Sequence, residues 1–91
     1  MLKPDARSLL RQKGLTVPEA ERASGLSGGS LRRLFTGRRG KALPVETVRR
    51  LSRGTGIPFE PLAEALETTI ADALERRWRR AEAERVRREA E

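Results

Sequence analysis

The sequence contains no cysteine and no histidine among its 91 residues. Without cysteine there can be no disulfide bond or thiolate chemistry, and without either residue type the usual zinc and haem ligands are missing. The lack of histidine also removes the commonest general base at neutral pH, and no other base is positioned to activate a serine. We therefore expect a protein that is not an enzyme and that uses neither a metal ion nor a cofactor.

Long apolar runs are also missing from the sequence. No stretch approaches the roughly 18 consecutive apolar residues that indicate a membrane-spanning helix. Residues 1–12 lack the apolar segment and the cleavage site of a secretory signal peptide. These absences predict a soluble protein of the cytoplasm that has no membrane partner.

Acidic residues are too few to balance the basic ones. Lysine and arginine together number 20 against 13 aspartate and glutamate residues, which gives a formal net charge of +7 and a pI near 11.4. The excess lies in residues 1–58, with 13 basic and 4 acidic side chains, whereas residues 59–74 carry four acids and no base. The length allows one small domain with an appended helix, and the charge favours an anionic partner.

Glycine is confined to the first two thirds of the chain, between Gly14 and Gly56. We predict four short helices in this part, separated by glycine and proline, with Asp5, Thr16 and Ser27 as N-cap residues. No alternating run of β-branched residues indicates a strand. The fold is therefore predicted to be all-α.

From Phe59 onward the composition favours one long helix or two nearly continuous ones, with Thr68 and Thr69 as the weakest point. The change in charge and in glycine content near this point indicates a domain boundary. We predict a domain over residues 1–66 and a C-terminal helical extension over residues 67–91.

Residues 16–37 are predicted to form a helix, a three-residue turn containing glycine and a second helix, which is the plan of a helix-turn-helix. The residues that mark this plan and its surroundings are Leu15-Thr16, Ser24-Gly25-Leu26-Ser27, Ser30-Leu31, Gly37, Leu51 and Gly56-Ile57. Together they resemble the Cro/cI-type (XRE-like) helix-turn-helix domain of bacterial and phage repressors and antitoxins, over about residues 5–66. The resemblance implies a five-helix, lambda-repressor-like fold.

The resemblance further implies that residues 27–36 are the recognition helix, whose N-terminal part enters the major groove of duplex DNA. The side chains expected to read bases are those of Ser30, Arg32 and Arg33, with Arg33 the candidate for a bidentate contact to guanine. The residues expected to contact the DNA backbone are Ser27, Gly28, Gly29, Arg38, Arg39 and Lys41. The three basic ones lie in a glycine-flanked loop where they can bind phosphate oxygens, the alternative being that they are only solvated.

Several positions depart from the pattern of this family. Gly28 and Gly29 stand where base-reading side chains are usual. Either fewer side chains contact base edges, or the backbone comes closer to the DNA. Glu21 stands where a small alanine is usual, and its charge either loosens the packing or needs a partner such as Arg32. Val17 stands where a DNA-contacting glutamine is common.

The core is predicted from apolar residues at helical spacing. These residues are Leu9, Leu10, Leu15, Ala20, Ala23, Leu26, Leu31, Leu34, Val48, Leu51, Ile57 and Leu62. For Phe35 two alternatives stay open, namely packing under the fourth helix or an exposed contact. Arg7 and Arg11 are interpreted as a solvated face of the first helix.

Apolar residues recur along the C-terminal helix mostly at every fourth position, without the three-four alternation of a leucine zipper. This spacing predicts either a short dimer or partner seam, or docking of the helix onto the domain. The seam residues are Leu66, Ile70, Leu74 and Trp78. For Trp78 the alternative is partial exposure in a basic helix. The ion pairs expected on this helix are Glu75–Arg79, Glu84–Arg88 and Arg85–Glu89.

The predicted function is that of a transcriptional regulator, in the first place a repressor, that binds duplex DNA sequence-specifically as a homodimer. Two recognition helices about one DNA turn apart would read a palindromic site. The alternative is a protein-interaction adaptor on the same fold, which binds RNA polymerase or a toxin through the C-terminal helix. The two glycines favour the adaptor, and the loop arginines favour DNA.

Overall fold

The computed structural model describes residues 4–38, 40 and 42–90. Its helices are α1 (Ala6–Gln12), α2 (Val17–Ala23), α3 (Ser30–Phe35), α4 (Val45–Thr55) and α5 (Phe59–Ala90). These described residues contain no β-strand, so the prediction of an all-α fold is confirmed. The long helix α5 packs against α1, α3 and α4, and α2 packs against α4.

Two of the predicted capping residues are confirmed. Asp5 accepts the backbone N–H of Ser8 at 2.8 Å, and this hydrogen bond is the main cause that lowers the pKa of the Asp5 carboxyl group. Thr16 and Glu19 form a capping box at the start of α2, and the N–H of Thr16 lowers the pKa of the Glu19 carboxyl group. Both arrangements satisfy N–H groups that the first turn of a helix leaves without helical partners.

The third capping prediction, Ser27, is wrong. Helix α3 begins only at Ser30, and its N-cap is Gly29, which has a left-handed backbone with φ 87°. Six residues therefore separate α2 from α3, twice the predicted turn, and the helix is shorter than the predicted range 27–36. The reason is that Gly28 and Gly29 lose more conformational freedom in a helix than other residues, so the chain forms a turn there instead.

Most of the predicted core is buried, and α5 contributes more to it than expected. The buried apolar cluster consists of Ala6, Leu10, Ala20, Leu31, Leu34, Phe35, Val48, Leu51, Ile57, Leu62, Ala65, Leu66 and Ile70. Leu9 and Leu26 are partly buried against this cluster, and Leu15 is half-buried. For Phe35 the structure decides in favour of packing, because its side chain is buried in the core.

Ala23 is exposed, so its assignment to the core is wrong. The inward face of α2 runs through Val17, Ala20, Glu21 and Ser24, which are spaced three, one and three residues apart. This spacing keeps them on one side of a helix, and Ala23 lies beside that stripe. A charged residue, Glu21, therefore occupies the inward position that an apolar residue was expected to take.

Helix α5 is unbroken over its 32 residues, so the alternative of one long helix is confirmed and the chain does not break at Thr68 and Thr69. The Thr69 hydroxyl donates to the carbonyl oxygen of Ala65 at 2.9 Å, and its Oγ1 accepts the N–H of Ala6 at 2.9 Å. Thr69 thus joins α1 to α5. None of the helices in the described part of the chain is both long and apolar enough to cross a membrane.

The domain body extends further along α5 than the predicted boundary at residue 66. Thr69, Ile70 and Ala73 are all buried against the other helices. After Leu74 every side chain in the described part of α5 is exposed except that of Glu82, which is half-buried. The extension that stands clear of the body is therefore shorter than the predicted range 67–91, because two additional turns of the helix complete the core.

Candidate nucleic-acid interface

The base-reading residues predicted on α3 lie on its outer side. Arg32 and Arg33 are exposed, whereas Ser30 is half-buried. The hydroxyl oxygen of Ser30 lies 2.7 Å from that of Ser27, so these two serines hydrogen-bond to each other at the start of the helix. The two arginines are therefore the long side chains that α3 presents to a ligand.

The two glycines before α3 have different surroundings. Gly28 is exposed, and among the described residues no atom outside its immediate chain neighbours would lie within 4 Å of a side chain built there. At Gly29, a Cβ atom would lie 3.2 Å from Nη1 of Arg33. The Arg33 guanidinium thus folds back over the N-terminus of its own helix, into space that Gly29 leaves free.

Glu21 finds a partner, but the partner is not Arg32. Its Oε2 atom accepts the backbone N–H of Leu31 at 2.9 Å, and both residues are buried. Leu31 is the second residue of α3, where N–H groups have no helical acceptor. Gly29 has no side chain to cap the helix, so a carboxylate from α2 does so and places a negative charge at the positive helix end.

An open cleft of about 650 Å³ lies between α1, α3 and α5. Seven arginines line it, namely Arg7, Arg32, Arg33, Arg38, Arg76, Arg77 and Arg80. The other lining residues are Gly29, Phe35, Thr36 and Ala73, so no carboxylate lines the cleft within the described ranges. Guanidinium groups gathered without a counter-charge produce a strongly positive potential that attracts anions, phosphate groups in particular.

Two contacts bring the arginines of other helices to α3. The guanidinium carbon of Arg7 lies 5.2 Å from the centre of the Phe35 ring, within the range of a cation–π interaction. Nη1 of Arg77 donates to the carbonyl oxygen of Thr36 at 3.5 Å, a long hydrogen bond at the negative end of α3. α1 and α5 therefore add positive charge beside the predicted recognition helix.

The sequence reasoning missed four of the seven arginines. The sequence indicates a solvated face for Arg7, and it assigns no site to Arg76, Arg77 and Arg80. One signal was available, because residues 76, 77 and 80 share a face of any helix that contains them. That this face lies beside α3 depends on how α5 packs, which the local sequence does not indicate.

The predicted backbone-contacting loop is described only in part. Arg38 is exposed and lines the cleft. Arg39 and Lys41 lie outside the described residues. Gly37 ends α3 in the left-handed conformation, with φ 75°, as the sequence predicts.

The predicted seam on α5 divides into a buried and an exposed part. Leu66 and Ile70 belong to the domain core, so their assignment to a dimer or partner seam is wrong, because they already pack within one chain. Leu74 is half-buried against the turn after α3, where its Cδ2 atom would lie 2.9 Å from a side chain built on Gly37. Trp78 is 63% exposed in the single chain, as both a seam residue and a solvent-exposed residue of a basic helix would be.

Comparisons with known protein families, with curated proteins and with solved structures found no match for this chain. The resemblance to the Cro/cI-type domain therefore stays a prediction. In the portion of the chain that the structure describes, no three His, Cys, Asp or Glu residues are grouped so that they could hold a metal ion.

Proposed function

We propose that this protein binds duplex DNA through the outer face of α3 and regulates transcription by occupying its site. The observation that carries the proposal is the cleft of seven arginines beside α3. Phosphate groups are the ligand that such a cluster suits best, because each guanidinium can donate two parallel hydrogen bonds to phosphate oxygens. The formal net charge of +7 adds a long-range attraction for a polyanion.

In this proposal α3 enters the major groove. An α-helix with its side chains is about 10–12 Å across, and the groove is about 12 Å wide, so the helix fits without deforming the DNA. Arg32 and Arg33 read base edges together with Ser30. Gly28 lets the backbone come close to the DNA because no side chain intervenes there.

The DNA backbone is held from both sides of α3. Ser27 and the N–H groups near Gly28 and Gly29 contact phosphates on one side, and Arg38 contacts them on the other. Arg39 and Lys41 stay further phosphate contacts that the sequence predicts. Binding in this position blocks or recruits other factors at a promoter, with repression the simpler result. A homodimer would place two copies of α3 on a palindromic site.

The experiment is binding to fluorescently labelled duplexes over a series of salt concentrations. The duplexes are a random sequence and the best sequence selected from a randomised pool, and the variants are wild type, Arg33→Ala and Arg53→Ala. Arg53 is exposed on α4 outside the cleft, so its replacement removes the same charge away from the proposed contact. With about four phosphates neutralised, log affinity should fall with log salt at a slope of roughly −3.6.

We expect Arg33→Ala to lose most of its preference for the selected duplex, by roughly tenfold or more, and Arg53→Ala to keep it. Absence of binding to either duplex at low salt would overturn the proposal. Equal loss in both variants would contradict the assignment of Arg33 as a base reader.

A second candidate is the adaptor, favoured by the exposure of two large apolar side chains in the C-terminal half of α5. Trp78 is 63% exposed and Val86 is 59% exposed. Because Trp78 is the single tryptophan of the chain, its fluorescence reports directly on its own environment. A shift to shorter wavelength on adding purified RNA polymerase, without binding to duplex DNA, would support the adaptor. A shift that depends only on the protein's own concentration would support a dimer through Trp78.

A further inference from the structure

The seven arginines of α5 lie on different sides of the helix. At about 100° per residue, Arg76, Arg77, Arg80, Arg87 and Arg88 fall within a sector of roughly 120°. The two other arginines, Arg79 and Arg85, lie outside it. We call the five arginines of the sector the arginine row.

The opposite side of α5 carries a row of acids. Glu75, Glu82 and Glu89 are seven residues apart and therefore lie nearly above one another. Glu75 forms an ion pair with Arg79 at 2.6 Å, and Glu82 forms one with Arg85 at 2.5 Å. The arginines outside the row are thus neutralised within the helix.

The arginine row has few counter-charges of its own. In the residues that the structure describes, no ion pair includes a member of the row, so the predicted pair Glu84–Arg88 is not formed. Glu84 is the one carboxylate within the sector in the described part of α5. Arg85 pairs with Glu82 rather than with Glu89, contrary to prediction. The row is thus a positive strip on a helix whose other face is close to neutral.

The N-terminal end of the arginine row lies beside α3, the predicted recognition helix. Arg76, Arg77 and Arg80 line the cleft beside α3, and Arg77 contacts the C-terminal end of α3. From Arg77 to Arg88 the helix rises about 16 Å, which equals the axial rise of about five base pairs of DNA at 3.4 Å each. The strip is therefore continuous with the proposed DNA-binding face and has the length of half a helical turn of DNA.

We infer that the arginine row of α5 binds the phosphate backbone of the same duplex that α3 enters, beyond the reach of α3. This inference rests on the proposed function, and it assigns the exposed half of α5 to the DNA in place of the predicted seam. The acid row then faces away from the DNA, and because its side of the helix has no net positive charge, only the arginine row attracts the phosphates. The occupant is a duplex, because its phosphates continue directly from those held in the cleft.

The test compares two double variants that remove the same charge from the same helix. Arg87→Ala with Arg88→Ala removes the far end of the row, and Arg79→Ala with Arg85→Ala removes the two arginines outside it. All four side chains are exposed, and alanine favours a helix, so both variants should keep the fold, which circular dichroism checks. The measurements are the salt slope of binding to a duplex of about 30 base pairs and the length of the hydroxyl-radical footprint.

We expect the variant of Arg87 and Arg88 to reduce the magnitude of the salt slope by nearly two and to shorten the footprint on one side. The variant of Arg79 and Arg85 should change the slope by less than half as much and keep the footprint. Equal changes in both variants, or none in either, would overturn the inference while wild-type binding upholds the proposed function. Failure of the wild type to bind any duplex would overturn both.

Discussion

The carboxylate of Glu21 caps a helix to which it does not belong. Its Oε2 atom accepts the N–H of Leu31 at 2.9 Å, across the turn that joins α2 to α3. The backbone carbonyl of Glu21 also accepts the N–H of Leu26 at 2.8 Å, so the same residue holds the turn itself. Glu21 therefore bonds both to the turn and to the first turn of α3.

Replacing Glu21 with alanine, the residue usual at this position in the family that the sequence resembles, should destabilise the protein. The buried N–H of Leu31 would lose its acceptor, at a cost of about 1–3 kcal/mol. Glu21→Gln keeps an acceptor oxygen and should lose clearly less. Chemical denaturation followed by circular dichroism measures the difference. Equal stability of Glu21→Ala and wild type would show that the cap contributes nothing.

Gly54 should not tolerate alanine, although it lies within α4. A Cβ atom there would be 2.6 Å from the carbonyl oxygen of Ala23, which is too close for any contact. The gain of about 1 kcal/mol in helix propensity would be outweighed by displacement of α2, so we expect a net loss of about 1–3 kcal/mol. Gly28→Ala is the control, because open space surrounds Gly28, and it should change stability by less than about 0.5 kcal/mol. A more stable Gly54→Ala would contradict the close approach of these helices.

Ser24→Ala should leave stability unchanged or raise it. The Ser24 hydroxyl is buried, and it has no hydrogen-bond partner among the described residues. Removing an unpaired buried hydroxyl removes its desolvation cost, which is about 1–3 kcal/mol at most. Thermal unfolding measures the effect. A clear loss of stability would indicate a bound water or another partner for this hydroxyl.

Thr69→Val should loosen the attachment of α1. Valine has nearly the shape of threonine but cannot accept the N–H of Ala6, which would become a buried donor without a partner. The expected cost is about 1–3 kcal/mol in the free energy of unfolding. The same substitution at the half-buried Thr68 is the matched control and should cost less than about 0.5 kcal/mol. Hydrogen exchange at the Ala6 amide should accelerate only in Thr69→Val.

Asp5 should make the free energy of unfolding depend on pH in the acidic range. The N–H of Ser8 lowers the pKa of the Asp5 carboxyl group from its ordinary value of 3.8, so the folded state favours the charged form. The stabilisation of the folded state by the Asp5 carboxylate is therefore fully present above about pH 4 and is lost as the pH falls through the lowered pKa. Asp5→Asn caps the helix without titrating, and its stability should fall less steeply below about pH 4. Parallel pH profiles of wild type and Asp5→Asn would contradict this assignment.

Local signals in the sequence predicted much of the fold. Asp5 caps α1 and Thr16 caps α2, as predicted. Gly14, Gly25 and Gly37 have the left-handed backbone that a turn requires. These features were predictable because each depends on residues within a few positions of one another. The start of α3 was not predictable in the same way. Ser27 is a typical N-cap residue type, but Gly28 and Gly29 disfavour a helix, so α3 begins only at Ser30.

The candidate site was predictable only in its α3 half. Arg32, Arg33 and Arg38 follow from the helix-turn-helix plan, whereas Arg7 and the arginines of α5 join them through contacts between helices distant in sequence. The sequence alone determined the helical class, the capped helix ends and the positive charge, because these depend on composition and short-range spacing. Only the tertiary structure decided that Glu21 caps α3, that Leu66 and Ile70 belong to the core and that one face of α5 completes the cleft. The physical reason is that an amphipathic pattern shows which face of a helix is buried, but the partner of that face is chosen by packing across the whole domain.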